Sequence, residues 1–181
     1  MSASLKKTLM NVEQVSVTLK RIVREILAAH PDAGNLCLIG IRTGGAFLAQ
    51  RLQKLLEQES GRQIPTGIID ITLYRDDWTL IAAKPIVGKT ALNFSIDDKQ
   101  IILVDDVLFT GRTVRAALDA LIDFGRPAKI ELAVLVDRGQ RELPICANYT
   151  GLTLQVSREQ RINVYLSEAG FQDEVAVEGQ S

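Results

Sequence analysis

The segment at positions 101–113, IILVDDVLFTGRT, constrains the fold more than any other part of the sequence. Four apolar residues end in Asp105 and Asp106, and a short loop then leads to the run TGRT at 110–113. Apolar residues recur after it at the period of one helical face, as far as Ile122. The pattern predicts a buried strand, a turn and a helix, which a following glycine–proline segment ends.

The turn in this segment has the polarity of a sugar-phosphate site. A helix N-terminus presents free N–H groups and the positive end of its dipole, which favour a phosphate. Gly111 lets the backbone approach a ligand closely, and Thr110 and Thr113 add hydroxyl donors. The carboxylates of Asp105 and Asp106 are acceptors only, so they suit the adjacent hydroxyls of a ribose. A solvated Asp-Asp turn is the better interpretation of the acid pair alone, but not of the whole segment.

A second strand–turn–helix unit precedes the first. Residues 36–41 form an apolar run, RTGG follows at 42–45, and a helix with a leucine stripe begins near Ala46 and ends at Gly61. The turn matches neither the dinucleotide fingerprint nor a Walker loop. By itself it is a weak signal, because tight turns use glycine routinely.

These units, with a further apolar strand at 129–136, predict a single α/β domain over residues 1–181. Its sheet is expected to be open and mostly parallel, with helices on both faces and the two turns at the same edge. We expect residues 1–10 and the polar tail 169–181 to be flexible. A strand is also expected over 67–74.

Strand ends line the ligand crevice of an open α/β sheet. Arg138, which follows the strand at 129–136, is therefore a candidate contact to a base or a phosphate. The alternative is that Arg138 and Arg141 pair with Asp137 and Glu142 on the surface.

Several other classes of protein fit poorly. The net charge of −1 gives no overall basic field for nucleic acid, although a local basic patch remains open. Two cysteines make no disulfide framework, which favours a reducing cytoplasm, and no apolar run reaches transmembrane length. The one histidine, His30, lies before Pro31 at a predicted helix end, where we expect a surface or capping residue. The sequence has neither zinc-ligand spacing nor the G-x-S-x-G motif of hydrolases.

The segment at 101–113 resembles the phosphoribosyl-pyrophosphate (PRPP) signature of type I phosphoribosyltransferases. Three further segments resemble the bifunctional pyrimidine-operon regulatory proteins, a family with uracil phosphoribosyltransferase activity. They are ITLYRDDWT at 71–79, TVRAALDALIDFGRP at 113–127 and VDRGQRELPI at 136–145. The resemblance extends from about Asn11 to Glu168.

This resemblance implies a type I phosphoribosyltransferase fold with a small hood over the base. The implied reaction joins uracil to PRPP, giving UMP and pyrophosphate, with Mg²⁺ held mainly by substrate and water rather than directly by the protein. It also implies regulation of pyrimidine genes by uridine-nucleotide-dependent attenuation at an mRNA leader, and a homodimer or homotetramer. A phosphoribosyltransferase without RNA binding, or one acting on another nucleobase, remains an alternative.

The resemblance further assigns residues to the site. Asp105, Asp106 and Arg75 become the expected catalytic groups. Backbone N–H groups of the turn at 43–45 would face the diphosphate, with a strained peptide bond before Thr43. The expected substrate-binding residues are Arg42, Thr43, Gly44, Val107, Leu108, Phe109, Thr110, Gly111, Arg112, Thr113, Arg138 and Ile162.

Residues 76–95 have little periodicity, and the resemblance makes 74–95 a mobile lid that excludes water. A β-hairpin without a catalytic role is the alternative. Lys84 in this stretch is a weaker candidate than Arg75 for a diphosphate contact.

RNA contacts are expected, by the same resemblance, from Lys20, Arg21, Arg24 and Arg141; a solvated helix face is the better interpretation of the first three by themselves. The sequence departs from the RNA-regulating members at three positions. Gln140, Cys146 and Leu152 stand where histidine, arginine and lysine are common. These departures lower the expectation of RNA binding and leave the PRPP site unaffected.

Overall fold

A computed structural model of the chain describes residues 5–76 and 89–179. Its strands are β1 (Leu5–Met10), β2 (Leu36–Ile41), β3 (Thr66–Ile69), β4 (Gln100–Leu108), β5 (Lys129–Asp137), β6 (Tyr149–Thr153), β7 (Arg161–Tyr165) and β8 (Glu174–Gly179). Its α-helices are α1 (Val12–Ala29), α2 (Gly44–Ser60) and α3 (Arg112–Ile122). Short 3₁₀ helices cover Thr72–Tyr74 and Ser167–Ala169. None of the helices in these ranges is long and apolar enough to cross a membrane.

The central sheet is parallel throughout, in the order β3-β2-β4-β5-β6. β4 lies in the middle, where Val104 pairs with Gly40 of β2 on one side and with Ala133 of β5 on the other. The predicted α/β class with a mostly parallel sheet is confirmed.

Helices cover both faces of this sheet, as predicted. Side chains alternate along β4, so that Ile102 and Val104 pack with α1 and α2, whereas Ile101 and Leu103 pack with α3. The two faces form separate clusters of buried apolar residues, and the strands between them are buried on both sides.

The helix ends follow local chemistry. Asn11 and Gln14 form a capping box at the start of α1, with both side-chain-to-backbone bonds at 2.9 Å. Gly61 ends α2 in the left-handed conformation. α3 stops at Ile122, before the glycine–proline segment, because the next two N–H groups bond three residues back and tighten the last turn.

Two predicted strand boundaries are wrong. β4 continues past the apolar run to Leu108, because Val107 and Leu108 pair with β5. The acid pair therefore lies within the strand rather than in a loop after it. β3 stops at Ile69 instead of extending to Tyr74, because Asp70 accepts a bond from the Thr72 N–H at 2.9 Å and a 3₁₀ turn begins.

Both termini form strands where the structure describes them, and their expected flexibility stays a prediction. β1 and β7 flank β8 in a second, antiparallel sheet of order β1-β8-β7. Apolar residues at 175–177 are buried in this sheet, which orders a tail that appears polar along the sequence. β6, in contrast, joins the central sheet beside β5.

The predicted lid at 74–95 is described only at its ends. Tyr74 belongs to the 3₁₀ helix after β3, and Ala91 forms an antiparallel bridge with Ile68. Residues 77–88, including Lys84, lie outside the described residues. A single domain over the whole chain also stays a prediction.

Candidate active site

One cavity of about 360 Å³ opens where β2, β3 and β4 end. Parallel strands place their carboxyl ends at one edge, so the two predicted turns meet there. The cavity is lined by Arg42, Thr43, Gly44, Asp70, Ile71, Thr72, Arg75, Asp105, Asp106, Val107 and Thr113. All three expected catalytic residues are therefore in the lining.

The acid pair combines a buried and a half-buried carboxyl group. Asp105 is 6% exposed and accepts a bond from the Asp106 N–H at 2.9 Å, while Asp106 accepts one from the Val107 N–H at 2.8 Å. Burial raises the pKa of Asp105 well above its usual range, and the negative charge of Asp106 raises that pKa further. Both side chains still line the cavity, where they can accept bonds from a sugar.

The first turn packs directly against the acid pair. The peptide bond between Arg42 and Thr43 is cis, at the position where an unusual bond was predicted. A Cβ on Gly44 would lie closer than 3.0 Å to the carboxylate of Asp106, and one on Gly45 would overlap the Val104 carbonyl. At Gly45 only glycine allows this approach, whereas at Gly44 a larger residue would displace the Asp106 carboxylate. The two glycines bring the N-terminus of α2 and its free N–H groups to the cavity.

The second turn, at 109–111, is shorter than predicted because β4 is longer. Gly111 has φ +92°, which glycine adopts readily, and its carbonyl accepts the first helical bond of α3 from the Arg115 N–H. α3 thus begins at Arg112, and Thr113 in its first turn lines the cavity. The N-termini of α2 and α3 approach the acid pair from two sides.

Two arginines line the cavity, and a third lies beside it. Arg42 places its Nε 3.8 Å from the carboxylate of Asp70, and Arg75 contributes to the lining. The guanidinium of Arg112, outside the lining, bonds to Asp76 at 2.6 Å and Glu142 at 2.8 Å. Its side chain is thus held by carboxylates, and the expected contact of Arg112 with substrate stays a prediction.

Asp70, Ile71 and Thr72 line the cavity and were missed in the sequence analysis. Asp70 directly follows an apolar strand, which is the same signal that identified Asp105. It was overlooked because the strand was predicted to continue through it.

A family model named "Phosphoribosyl transferase domain" matches residues 11–166. "Bifunctional protein PyrR" of Desulfosudis oleivorans is 56% identical over 164 residues, which cover 90% of this chain and 91% of that protein. The protein of the same name from Syntrophobacter fumaroxidans is 48% identical over 172 residues, 95% of this chain and 92% of its own.

The chain belongs to the bifunctional PyrR family of phosphoribosyltransferases. The predicted family is thereby confirmed. The fold agrees with it: the crystal structure of a hypoxanthine phosphoribosyltransferase from Trypanosoma cruzi superposes with a TM-score of 0.73. That pair is 17% identical and covers 97% of both chains, so this likeness describes the fold alone.

Arg138 and Ile162 are among the expected substrate contacts of this PyrR-family chain that lie outside the cavity lining. Arg138 is buried, and its guanidinium bonds to the carbonyls of Ser157 and Gln160. Ile162, in β7, is buried in the core with α1 and α2, so its contact with a base stays a prediction.

The remaining members of the expected substrate-binding set divide between the core and the second turn. Leu108 is buried in the core beside α3, and Phe109 and Thr110 form the second turn with Gly111. Surface pairing is wrong for Arg138 but right for Arg141, which bonds to Asp137 at 2.5 Å.

The charged residues that the resemblance assigns to RNA differ in availability. Lys20 and Arg24 are exposed on α1. Arg21 is exposed as well, but it donates to the carbonyls of Thr150 and Gly151, at 3.0 and 2.6 Å, which ties α1 to β6.

The turn after β5 uses Arg141 in the same way. Its guanidinium donates to the carbonyls of Phe109 and Ile145, at 2.7 and 2.9 Å, besides the carboxylate of Asp137. The amide of Gln140 bonds to the Val156 carbonyl. Cys146 is exposed and Leu152 is half-buried against the core.

His30 is a capping residue, as predicted, but it is not on the surface. Its N–H bonds to the Ile26 carbonyl at the end of α1, and its ring nitrogen Nε2 lies 2.5 Å from buried Glu131. Lys129 and Tyr149 also bond to Glu131, at 2.7 and 3.3 Å. Burial by itself raises the pKa of Glu131, but the bonds from Lys129 and His30 outweigh it and lower that pKa.

Proposed function

We propose that this PyrR-family protein transfers the phosphoribosyl group of PRPP to uracil, giving UMP and releasing pyrophosphate. The observation that carries the proposal is the cavity that brings an acid pair together with two helix N-termini. A ribose with phosphoryl groups on both sides has the complementary pattern of hydroxyls between anions. Membership of the family supports the same reaction.

Each part of the cavity then has a role. The N-terminus of α2, with Arg42 and Arg75, binds the diphosphate, and the N-terminus of α3 with Thr113 binds the 5-phosphate. Asp105 and Asp106 accept the ribose hydroxyls. As the bond from the anomeric carbon to the diphosphate oxygen breaks, positive charge develops on the sugar. A ring nitrogen of uracil forms the new bond and releases its proton to water or to the departing pyrophosphate.

The protein contributes mainly alignment and charge. Good alignment alone supplies roughly 7–11 kcal/mol of barrier reduction. The acid pair lies where the sugar becomes cation-like, so its negative charge stabilises the transition state more than the ground state.

Mg²⁺ fits the donors at this site. The ion binds one or two carboxylates with substrate phosphates and keeps several waters. Asp105 and Asp106 supply such carboxylates, whereas residues 5–76 and 89–179 hold no group of three or more His, Cys, Asp or Glu that could hold a metal. Mg²⁺ would therefore be held mainly by PRPP and water beside this pair, where it neutralises diphosphate charge.

The test replaces both acids, Asp105→Asn with Asp106→Asn. We expect the fold to persist, as measured by circular dichroism, and turnover of uracil with PRPP to fall by roughly 100-fold or more, the size seen for the loss of one transition-state donor. The matched control exchanges two exposed acids, Asp32 and Asp98, for asparagine and keeps full activity. Near-normal kinetics in the first variant would contradict the proposed role of the pair.

Gene regulation at mRNA is the second proposed function, which the name of the bifunctional relatives supports. Exposed Lys20 and Arg24 are the available cations of the expected RNA surface. Binding of a pyrimidine-operon leader hairpin should increase with UMP, and its dependence on salt should weaken when both residues become glutamine. Without UMP-enhanced, salt-sensitive binding, only the enzymatic role remains.

Base preference, assembly and location belong to the same proposal. Transfer assays with uracil, hypoxanthine, guanine and orotate should show uracil as the preferred acceptor. We also propose a homodimer or homotetramer in the cytoplasm, which light scattering and cell fractionation test.

A further inference from the structure

Arg138 joins two turns, one that contains Phe109 and one that lies 19 to 22 residues after Arg138 itself. It follows β5, and its N–H bonds to the Leu108 carbonyl at 3.0 Å, which ties its backbone to the end of β4. Its side chain is buried, with 5% of the residue exposed. The guanidinium donates to the carbonyls of Ser157 and Gln160, at 2.8 and 2.9 Å.

The opposite side of this contact is Phe109. The guanidinium carbon of Arg138 lies 4.0 Å from the centre of the Phe109 ring, within the range of a cation–π contact. Phe109 belongs to the turn between β4 and α3, and its carbonyl is held by Arg141. One side chain therefore contacts two turns. The first is the second turn of the cavity together with the start of α3 (residues 109–113), here called the phosphate turn. The other is the turn at residues 157–160, here called the hood turn, which leads into β7.

The contact is not an ordinary ion pair. Within residues 5–76 and 89–179, no carboxylate forms a salt bridge with Arg138, and its Nε has no hydrogen-bond partner. Burial lowers the pKa of this guanidinium. Burying a cation without a counter-ion is costly, whereas the planar fork of arginine suits two fixed carbonyls and an aromatic face. These contacts favour a role in which Arg138 holds the two turns at a fixed distance from each other.

We propose that Arg138 is a positioning residue that sets the distance between the phosphate turn and the hood turn. It thereby holds the base and the ribose phosphate of one nucleotide in register. Arg138 acts through Phe109 and the 157–160 backbone, because it is not part of the cavity lining. This inference rests on the proposed function and replaces the expected direct contact of Arg138 with substrate.

The decisive experiment compares a ligand that spans both turns with ligands that occupy one. Arg138→Met keeps the bulk of the side chain and removes its donors. We expect the Kd of UMP to rise roughly tenfold or more, since small misplacements at a site have effects of this order or larger. The Kd values of ribose 5-phosphate and uridine should change by less than about threefold, because each fragment follows its own turn.

Kinetics give a second measurement. The variant should raise KM for uracil and lower kcat, while KM for PRPP remains within about threefold. A purely structural loss would lower the folded fraction, as circular dichroism measures it, and scale the apparent binding of all three ligands alike. Equal weakening of UMP and either fragment, or no change in any ligand, would overturn the proposal.

Two further variants make the result specific. Arg161→Met makes the same exchange at an exposed residue next to the hood turn, and it should leave all three Kd values unchanged. Arg138→Lys keeps the charge but lacks the planar fork, so it should behave like Arg138→Met; full recovery by lysine would overturn the geometric role. If Arg138→Met does not fold, the lysine variant carries the same comparison.

The proposal and the function on which it rests fail in different ways. If the wild-type protein transfers another base better than uracil, the assigned base is wrong. The same comparison is then made with the nucleotide of that base, its nucleoside and ribose 5-phosphate, and it still tests Arg138.

Discussion

Asp105 is held where its negative charge is unfavourable. The residue is buried at the end of β4 beside Asp106, and both facts raise its pKa. A group whose pKa is raised by folding opposes folding once the pH exceeds its unfolded value, about 3.9 for aspartate. The placement suits a site that binds ribose hydroxyls, and it reduces the stability of the empty enzyme.

We therefore expect Asp105→Asn to stabilise the protein. Asparagine can still accept the bond from the Asp106 N–H, but it bears no charge. The gain in the free energy of unfolding should be absent near pH 4, grow as pH rises and become constant above the raised pKa. Urea unfolding across this range measures it. The control is Asp119→Asn at an exposed position, where the free energy of unfolding should show no such gain with rising pH. An Asp105→Asn protein that is less stable than wild type at pH 8 would contradict the argument.

Folding shifts the pKa of Glu131 in the opposite direction to that of Asp105. Its pKa is lowered despite burial, because Lys129 and His30 bond to its carboxylate. Its ionised form thus contributes stability above the ordinary glutamate pKa of about 4.3, and this contribution is lost as pH falls through the lowered value.

Glu131→Gln tests this cluster. We expect a loss of about 1–3 kcal/mol in the free energy of unfolding at pH 7, since buried partners are left without their carboxylate. The difference from wild type should narrow below about pH 4.3. Urea titrations at pH 7, 5 and 4 measure it, and a constant difference over that range would mean that ionisation is not involved.

At the scale of elements, two consecutive glycines allow the N-terminus of α2 to pack closely against β4. A Cβ added at each glycine would clash with a different group. A Cβ at Gly44 would meet the side chain of Asp106, which can rotate away. A Cβ at Gly45 would meet the Val104 carbonyl, which belongs to the central strand and cannot.

The two alanine substitutions should therefore separate activity from stability. Gly44→Ala displaces the Asp106 carboxylate, so turnover should fall roughly tenfold or more with little change in unfolding free energy. Gly45→Ala forces α2 away from β4 and should lose about 1–3 kcal/mol of stability. Steady-state kinetics and urea unfolding of both variants measure this. If both lose only activity or only stability, the assigned contacts are wrong.

At the scale of the whole molecule, the C-terminal segment is connected to the central layer through Arg51. This residue of α2 bonds to Asp173 at 2.5 and 2.8 Å and to Glu168 at 2.5 and 2.7 Å. The bond to Arg51 is the main cause that lowers the pKa of each carboxylate. Through Asp173, the residue before β8, α2 holds the sheet formed by the two termini.

We expect Arg51→Met to lose about 2 kcal/mol of unfolding free energy. Hydrogen bonds to charged groups are worth roughly 1.5–3 kcal/mol, and water screens the bonds to the exposed Glu168. The control is Arg62→Met, which removes a pair with the 84% exposed side chain of Asp32 and should cost less than about 1 kcal/mol. Urea unfolding of both variants provides the measurement. Equal losses would show that the C-terminal segment is held by other contacts.

The sequence by itself determined the parts of this protein that depend on near neighbours. Helical periodicity, the capping box at Asn11 and the left-handed stop at Gly61 are local, and so is the run from strand to acid pair to glycine turn. The position of the two turns at one sheet edge was also predictable from the sequence, because the carboxyl ends of parallel strands lie on the same side of the sheet.

The tertiary structure alone decided what depends on partners distant in the chain. β4 is extended through its acid pair by β5, and the polar-looking termini become strands because they pair with each other. Arg138 follows a strand end as a substrate contact does, but its guanidinium is bound by carbonyls some twenty residues later. Hydrogen bonds and burial between residues distant in the chain cannot be predicted from a local sequence pattern. They distinguish Arg75, which lines the cavity, from Arg138, which does not.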